Sequence, residues 1–328
     1  MGLTSQNSGK KLLRRKQSKE SDETIKVALV GNPNVGKSTI FNSLTGSRQH
    51  TGNWSGKTVE LAFGIAISAS RKYEIVDLPG TYSLYAHSKE EEVAGEYILS
   101  GRADVTVVVC DSTNLQRSIS LLFQIQEITN KVVAVFNLYD EAKRLGINVD
   151  AAFARELLGI PVVLTSSKDK GSTARIHEAI EECIASKSDA KQIRKIYPPK
   201  IEKAISLLSE ELGDLGGRER FLSIALLSLK DSDLLLTSAG LNCTEKCQII
   251  AKSKDICKLL FADYENNDSI SEIISLSLLK QSEEISKKIS GAKRNRNLSR
   301  FDKIITGKWT AFPIMLVLLL QASFPKAL

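Results

Sequence analysis

One eight-residue segment constrains the fold of this 328-residue chain more than any other. It reads Gly31-Asn32-Pro33-Asn34-Val35-Gly36-Lys37-Ser38 and fits the pattern G-x-x-x-x-G-K-[ST] at every position. An apolar run precedes it and a helical pattern follows it, as the pattern requires. Glycines let backbone amides wrap around phosphate oxygens, and the start of the helix adds the positive end of its dipole. The segment therefore predicts a phosphate-binding loop between a strand and a helix.

Residues 24–187 alternate short apolar runs with longer helical patterns. The predicted strands, bounded by Gly, Asp, Asn or Pro, are Ile25–Val30, Tyr73–Val76, Val105–Cys110, Val132–Phe136 and Val162–Leu164. The helical candidates between them are Lys37–Leu44, Glu90–Leu99, Gln116–Ile128 and Ala151–Leu158. Such alternation predicts an α/β domain with a doubly wound, mostly parallel sheet.

The pattern changes to helices alone over residues 193–290. Apolar residues recur there at helical spacing, and the two clearest sets are Ile201, Ile205, Leu208 and Leu212, and Ile270, Ile274, Leu278, Ile285 and Ile289. Pro198 and Pro199 mark the start of this region, because neither suits a helix interior. We predict a small all-α domain.

Both ends of the chain are basic, and the formal net charge is +7. Residues 1–23 are predicted to be a basic flexible arm, for which a nucleic acid, an anionic membrane face or plain solvent are the possible surroundings. Residues 300–328 are predicted to be a juxtamembrane segment and a truncated first transmembrane helix. The apolar stretch Trp309–Phe324 favours this, although a buried core helix is the alternative.

The cysteines and histidines give no convincing metal or catalytic pattern. Five scattered cysteines and the absence of a signal sequence predict a reduced, cytoplasmic compartment. Cys243, Cys247 and Cys257 are predicted to be small buried hydrophobic residues rather than metal ligands, because no fourth ligand follows at a recognised interval. The three histidines are predicted to lie in or near loops: His50, His87 and His177.

A second motif, Asp77-Leu78-Pro79-Gly80, follows the next β-branched strand. Asp77 is placed to hold a metal ion through water, and the Gly80 amide can meet a γ-phosphate. Within the first motif, Lys37 is expected to reach the β- and γ-phosphates and Ser38 to ligate Mg²⁺. Thr39, the next residue, is included among the residues expected to bind nucleotide.

A third motif, Asn137-Leu138-Tyr139-Asp140, ends the strand at 132–136. A carboxylate at Asp140 can accept from both N1–H and the 2-amino group of guanine, which adenine lacks, so the motif favours GTP over ATP. Asn137 is expected to tie this loop to the phosphate-binding loop. The turn Thr165-Ser166-Ser167 is expected to complete the base site through backbone amides.

These elements, in this order, resemble the TRAFAC class of GTPases. The run of residues 46–60 (GSRQHTGNWSGKTVE) and the stretch 77–84 (DLPGTYSL) are similar to the switch regions of the bacterial ferrous-iron transporter family FeoB. The stretch 98–101 (ILSG) is similar to that family as well. The resemblance covers residues 24–185 closely and the helical region loosely, and it resumes at residues 300–320. Ser167 departs from the family, in which alanine is more usual in the base-binding turn.

The resemblance implies further roles for individual residues. Thr58 matches the switch I threonine that closes on Mg²⁺ and the γ-phosphate, and its neighbours are implied nucleotide contacts: Gly56, Lys57, Val59 and Glu60. Asn34 matches an asparagine that helps hold an activating K⁺ ion, whose other protein ligands are the carbonyls of Gly52 and Trp54. Lys37, Asn34, Thr58 and Gly80 are the implied catalytic group.

There is a physical reason to expect such an ion. Ras-like GTPases orient the attacking water with a glutamine just after D-x-x-G, whereas Thr81 stands there in this chain. A cation between the phosphates supplies the missing charge stabilisation. Slow, potassium-stimulated hydrolysis of GTP to GDP and phosphate is the expectation.

The leading hypothesis is the cytoplasmic GTPase region of a ferrous-iron transporter at the inner or plasma membrane, gating or regulating iron uptake. Its expected partners are the inner membrane leaflet, the transporter's membrane region, which this chain lacks, and a small accessory iron-transport protein; no nucleic acid is expected. The alternatives are a soluble GTPase of ribosome assembly or tRNA modification, and a nucleotide-binding switch that does not hydrolyse GTP.

Overall fold

A computed structural model describes residues 24–46, 49–53, 60–68, 71–85, 88–166, 169, 171–186, 196–229, 232–261 and 267–291. The strands are β1 Ile25–Gly31, β2 Gln49–Asn53, β3 Glu60–Ser68, β4 Arg71–Asp77, β5 Val105–Asp111, β6 Val132–Asn137 and β7 Val162–Leu164. The helices as far as residue 185 are α1 Lys37–Thr45, α2 Lys89–Leu99, α3 Leu115–Gln126, α4 Tyr139–Arg144, α5 Ala151–Leu158 and α6 Ser172–Ala185. The later helices are α7 Pro199–Leu212, α8 Glu219–Ser228, α9 Asp233–Ser238, α10 Cys243–Leu260 and α11 Asn267–Ile289.

The seven strands form one sheet in the order β2-β3-β4-β1-β5-β6-β7. From β4 to β7 every neighbouring pair is parallel, whereas β2 and β3 are antiparallel. Strands β5 and β6 are buried almost throughout, because helices cover both faces and β-branched residues fill both sides. The predicted α/β fold with a mostly parallel sheet is confirmed, as are the five predicted strands.

The antiparallel edge was not predicted. Strand β3 alternates large and small apolar residues, and its Ile67 is 61% exposed. Its sequence therefore lacks both the continuous large apolar residues of a buried strand and the apolar–polar alternation of an amphipathic strand. Gly64 has a packing reason: a Cβ there would fall less than 3.0 Å from the Thr45 side chain of α1. The small residue allows the helix to approach the strand closely.

Each face of the sheet has its own core. Alternate residues of β1 belong to opposite faces, so Val27 and Leu29 pack beneath α1 and α6. Ala28 and Val30 belong to the other core, which includes α2 and α3 and continues into α7–α11. The later helices therefore share a core with one face of the sheet.

Two side-chain contacts mark the junction between the sheet side and the later helices. The ring of Tyr85 stacks on Phe221 of α8, with centroids 5.1 Å apart and planes at 8°. Glu127, just after α3, receives Arg220 at 2.8 Å, and the same guanidinium reaches Glu202 of α7 at 2.8 Å.

The helical region agrees with several expectations. Helix α7 begins at Pro199 with Pro198 as its N-cap, and Ile201, Ile205 and Leu208 are buried. No strand occurs among the described residues from 196 to 291. The division of the chain into a unit at 24–187 and another at 193–290 stays a prediction.

Two predictions concern the two ends of the chain. The expected flexible arm at 1–23 and the expected membrane segment at 300–328 lie outside the described residues. Within the described ranges, no helix combines the length and apolar character that crossing a bilayer requires.

The cysteine prediction was wrong for two residues. Cys243 and Cys247 are exposed and Cys257 is half-buried, because α10 turns Ile249 and Ser253 toward the core and leaves its first turns in solvent. Within the described residues, no group of three or more potential ligands forms a metal site. The acidic run Glu90–Glu92 occupies the first turn of α2, where the helix dipole stabilises negative charge.

The histidine prediction was also wrong in part. His177 is buried in the interior of α6, with its ring centroid 4.8 Å from that of Tyr73, and burial lowers its pKa. His50 lies on β2 and is exposed, whereas His87 falls outside the described residues.

Loss of the Phe221 ring is expected to destabilise the protein. Phe221→Ala removes a fully buried ring that stacks on Tyr85, so the free energy of unfolding should fall by about 3–5 kcal/mol. Chemical denaturation measures this change. The matched control is Leu276→Ala on α11, whose side chain is 56% exposed and whose loss should have little effect. Equal effects of the two variants would contradict the described junction.

Candidate nucleotide-binding site

The predicted phosphate-binding loop lies between β1 and α1, at the carboxyl end of the central strand. Gly31 ends β1 and Lys37 begins α1. Asn34 and Gly36 have φ of 65° and 82°, so the loop curls through the left-handed region twice. A Cβ on Gly36 would fall less than 3.0 Å from the Asn137 side-chain nitrogen, which explains why glycine stands there. The curl leaves the start of α1 open to an anion.

Lys37 and Asp77 form an ion pair in the middle of the site. The Lys37 Nζ contacts Asp77 Oδ1, and both side chains are 11% exposed. Burial raises the pKa of Asp77, and the ammonium of Lys37 together with a hydrogen bond from Ser38 opposes that rise. The hydroxyl of Ser38 and the carboxylate of Asp77 thus lie side by side. Two neighbouring oxygen atoms of this kind are suitable ligands for Mg²⁺.

The D-x-x-G segment is fastened to the first loop by backbone bonds. Leu78 N donates to Leu29 O at 3.0 Å, and Thr81 N donates to Gly31 O at 3.1 Å. Gly80 lies against Pro33, where an added Cβ would be 3.1 Å from the proline Cα. These contacts bring the second motif to the phosphate-binding loop, as the sequence predicted.

The side chain of Thr81 turns away from the site. Thr81 is 1% exposed, and its Oγ1 donates to Ser83 O at 2.5 Å and accepts from Ser83 N at 3.2 Å. A hydroxyl held in its own turn is not free to position a water molecule above the loop. This observation supports the sequence argument that this position does not replace a catalytic glutamine.

The Asn137 carboxamide joins the third motif to the other loops. Its Nδ2 donates to Val35 O at 2.9 Å, and its Oδ1 accepts from Thr165 Oγ1 at 3.0 Å. Thr165 O in turn accepts from Tyr139 N at 3.1 Å. The predicted tie between Asn137 and the phosphate-binding loop is present.

Asp140 lies in the first turn of α4 rather than in a loop. Leu138, with φ of 59°, is the N-cap at which the chain turns into this helix. Asp140 is half-buried, and the Lys143 Nζ lies 4.4 Å from the centre of the Tyr139 ring. The first turn of this short helix thus follows directly after β6, with Asp140 three residues beyond Asn137.

Helix α3 supports the site through residues that no motif indicated. Ser118 Oγ donates to Asn32 Oδ1 at 3.0 Å and accepts from Asp111 N at 3.1 Å. The Asn32 Nδ2 donates to Thr81 O at 3.1 Å. A serine inside a helix gives no sequence signal of such a role, so Ser118 was missed.

The predicted site residues lie only partly within the described part of the chain. Six of them lie outside the described residues: Trp54, Gly56, Lys57, Thr58, Val59 and Ser167. Gly52 and Glu60 lie on β2 and β3, and Gly52 pairs with Leu61 across the antiparallel edge. Ser166 follows β7, and Thr39 lies in α1.

A family model, relatives and solved structures match this chain. A family model described as "Ferrous iron transport protein B" matches residues 25–180. The Fe(2+) transporter FeoB of Escherichia coli (strain K12) is 43% identical over 157 residues, covering 46% of this chain and 20% of its own length. The cytosolic domain of the T. maritima FeoB iron transporter in apo form matches with a TM-score of 0.68 at 31% identity, over 81% of this chain and 99% of that structure.

The chain belongs to the FeoB family. A further relative, a fusion of Fe(2+) transport protein A with Fe(2+) transporter FeoB from Porphyromonas gingivalis, is 36% identical over 204 residues, which are 60% of this chain and 24% of that protein. A GDP-bound mutant of the S. thermophilus FeoB G-domain matches with a TM-score of 0.67 at 33% identity, over 81% of this chain and 99% of that structure. The chain thus spans about a quarter or less of the FeoB transporters named here, and nearly all of the cytosolic structures.

Membership of the FeoB family favours the leading hypothesis over its rival. The resemblance predicted over residues 24–185 agrees with the matched range of 25–180. Ribosome-assembly and tRNA-modification GTPases share the motif order, but the family to which this chain belongs is that of the ferrous iron transport protein B.

A glycine variant tests the packing of the phosphate-binding loop. Gly36→Ala places a methyl group against Asn137 at a positive φ, so the free energy of unfolding should fall by about 1–3 kcal/mol more than conformational strain alone predicts. The matched control is Gly101→Ala, which also has a positive φ of 66° but whose nearest atom would be 4.0 Å away. Equal losses in the two variants, measured by urea unfolding, would show that the Asn137 contact is unimportant.

Proposed function

We propose that this chain is the GTP-binding and GTP-hydrolysing cytoplasmic domain of a ferrous-iron transporter. The observation that carries the proposal is the convergence of three motifs on one edge of the sheet. The Asn137 carboxamide joins the third motif to the first, and backbone hydrogen bonds join the second motif to the first. Relatives of the same fold support it, since the T. maritima FeoB cytosolic domain has a structure in a GMPPNP form (TM-score 0.65 and 31% identity, over 81% of this chain and 99% of that one).

The phosphate end of the site is formed by the first two motifs. Backbone N–H groups of the loop at 31–38, in which Pro33 has none, and the Lys37 ammonium bind the phosphate oxygens, and the Gly80 amide meets the γ-phosphate. Lys37 then exchanges its contact with Asp77 for the triphosphate, which has the higher charge. This exchange leaves the Asp77 carboxylate available to a cation.

Mg²⁺ would be held by Ser38 and, through water, by Asp77, with Thr58 as the third protein group. The adjacent oxygens of Ser38 and Asp77 fit this ion. When bound, Mg²⁺ neutralises charge that develops on the phosphates. The residues of the chain supply orientation: the curled loop fixes the triphosphate, and the bond from Thr81 N to Gly31 O fixes the D-x-x-G turn beside it.

The base end of the site selects guanine. Asp140 accepts hydrogen bonds from N1–H and the 2-amino group, while the turn at Thr165–Ser167 contributes backbone amides. Tyr139 N bonded to Thr165 O holds these two segments together.

Asp140→Asn tests base selection. The variant loses two charge-assisted hydrogen bonds to guanine, so GTP affinity should fall about 100-fold or more. Affinity for XTP should rise, because the amide can donate to the carbonyl at position 2 of xanthine. Titration calorimetry with GTP, XTP and ATP in Mg²⁺ measures both effects, and the exposed neighbour variant Glu141→Gln is the control. Unchanged GTP affinity in Asp140→Asn would overturn the base assignment.

The hydrolysis step is proposed to be slow and stimulated by K⁺. The Thr81 hydroxyl is bonded within its own turn, so charge stabilisation must come from elsewhere. Asn34 lies exposed in the phosphate-binding loop with φ of 65°, and its side-chain oxygen is the proposed K⁺ ligand, with the Gly52 and Trp54 carbonyls. Asn34, Lys37, Thr58 and Gly80 form the proposed catalytic group.

Potassium dependence gives a direct measurement. GTP turnover should be faster in KCl than in NaCl, and Asn34→Ala should remove the difference while GTP binding persists. The control is Asn130→Ala, which lies before β6 at the opposite edge of the sheet and should keep the salt dependence. Equal rates of the unmodified chain in the two salts would exclude the K⁺ proposal, and no turnover at all would favour a non-hydrolysing switch.

Iron transport belongs to the proposed role of the whole protein. The chain covers 20–24% of the E. coli and P. gingivalis relatives, so the membrane region of the transporter is a proposed partner. The fused protein A of the P. gingivalis relative supports a small accessory protein as a second partner. We place the described domain on the cytoplasmic side of the membrane, with residues 300–328 as the proposed attachment.

A further inference from the structure

A cavity of about 320 Å³ lies between the start of α3 and the last turns of α11. One wall is the segment Ser112–Gln116, another is Ile147, and the third is the end of α11 around Lys287. None of the lining residues belongs to the three nucleotide motifs. The volume is at the lower end of the range for small-molecule sites.

The wall at the start of α3 carries hydrogen-bond donors. Helix α3 is 12 residues long, and the side chain of its N-cap residue Asn114 makes no hydrogen bond to the backbone of the first turn. The first-turn amides therefore lie at this end of the cavity without a side-chain cap. Ser112 is 1% exposed, and its hydroxyl has no hydrogen-bond partner among the described residues. A serine hydroxyl rotates about one bond and can turn toward a ligand. Donors at a helix N-terminus favour an oxyanion.

The opposite wall, at the end of α11, adds a cation. Lys287 on α11 is 71% exposed and pairs with Glu283 at 2.6 Å, one turn earlier on the same helix. Such a surface pair contributes little to stability, so a ligand oxyanion can compete for the ammonium. The apolar surface of the cavity comes from Leu115, in the wall at the start of α3, and from Ile147.

We propose that this cavity binds a small organic oxyanion: a phosphate monoester or a carboxylate carried on a short apolar body. The oxyanion meets the first turn of α3, Ser112 and Lys287, and the apolar body packs on Leu115 and Ile147. The ligand would therefore hold α3 and α11 together.

The position of the cavity links it to the base-binding loop. Ser112 N donates to Asn137 O at 3.0 Å, so one wall is bonded to the residue that joins the nucleotide motifs. Ile289 O at the end of α11 accepts from Asp150 N at 3.2 Å, next to the start of α5. A ligand that fixes both walls also fixes Asn137. Coupling to nucleotide rests on the proposed function and is reciprocal, so GDP should tighten binding in the cavity.

The direct test is titration calorimetry of the full 328-residue chain with phenyl phosphate and with benzoate. The titrations are made with saturating GDP, which occupies the phosphate-binding loop, and are repeated on Lys37→Ala without nucleotide. We expect saturable binding of one equivalent of at least one probe in both settings. The stronger of the two probes identifies the oxyanion.

Variants test whether the heat measured by calorimetry comes from binding in the cavity. Lys287→Met should weaken binding about fivefold or more, because it removes a charge-assisted hydrogen bond. Ser112→Ala should also weaken binding without loss of stability, since the hydroxyl lacks a partner. The matched control is Lys280→Met on the exposed surface of the same helix, which should leave binding unchanged.

Several results would overturn the proposal. They are the absence of saturable binding by both probes, loss of binding when GDP is present, and equal effects of Lys287→Met and Lys280→Met. Binding of a probe to a chain that does not bind GDP would instead keep the cavity assignment and reject the proposed function.

Discussion

The carboxamide of Asn137 is the contact on which the arrangement of the site depends. Its two ends reach Val35 in the first loop and Thr165 in the last, at 2.9 and 3.0 Å. A carboxamide is suited to this task, because it carries a donor and an acceptor on one rigid plane. Since both bonds are buried, loss of either would leave a polar group unpaired at considerable cost. The glycine at position 36 exists to make room for this group.

The direction of the strands explains why the sequence predicts where the motifs meet. The motifs occur at the carboxyl ends of β1, β4 and β6, and parallel strands bring those ends to one edge of the sheet. Long β-branched runs fixed the central strands, as in β5. Given three such strands in order, the convergence of Lys37, Asp77 and Asn137 follows from the direction of the strands.

Prediction failed where tertiary contacts override local pattern. Strand β3, at the antiparallel edge, carries a glycine at position 64 where the Thr45 side chain of α1 comes close, and no local rule anticipates that neighbour. Cys243 and Cys247 are exposed against the average behaviour of cysteine, because the orientation of α10 is set further along, at Ile249 and Ser253. Ser118 and Gln124 on α3 have polar roles that helical sequence does not reveal.

Helix α3 connects the nucleotide loops to the later helices along its whole length. Ser118, in its first half, bonds to Asn32 of the phosphate-binding loop at 3.0 Å. Gln124, near its end, accepts from Ser83 Oγ and Leu84 N at 3.0 and 2.7 Å, in the segment after D-x-x-G. Glu127, just beyond it, pairs with Arg220 of α8. Ser83, Leu84 and Tyr85, which follow the D-x-x-G segment, thus contact both Gln124 of α3 and Phe221 of α8. The later helices are therefore joined by side-chain contacts to the segment after D-x-x-G, although no residue of theirs belongs to a nucleotide motif.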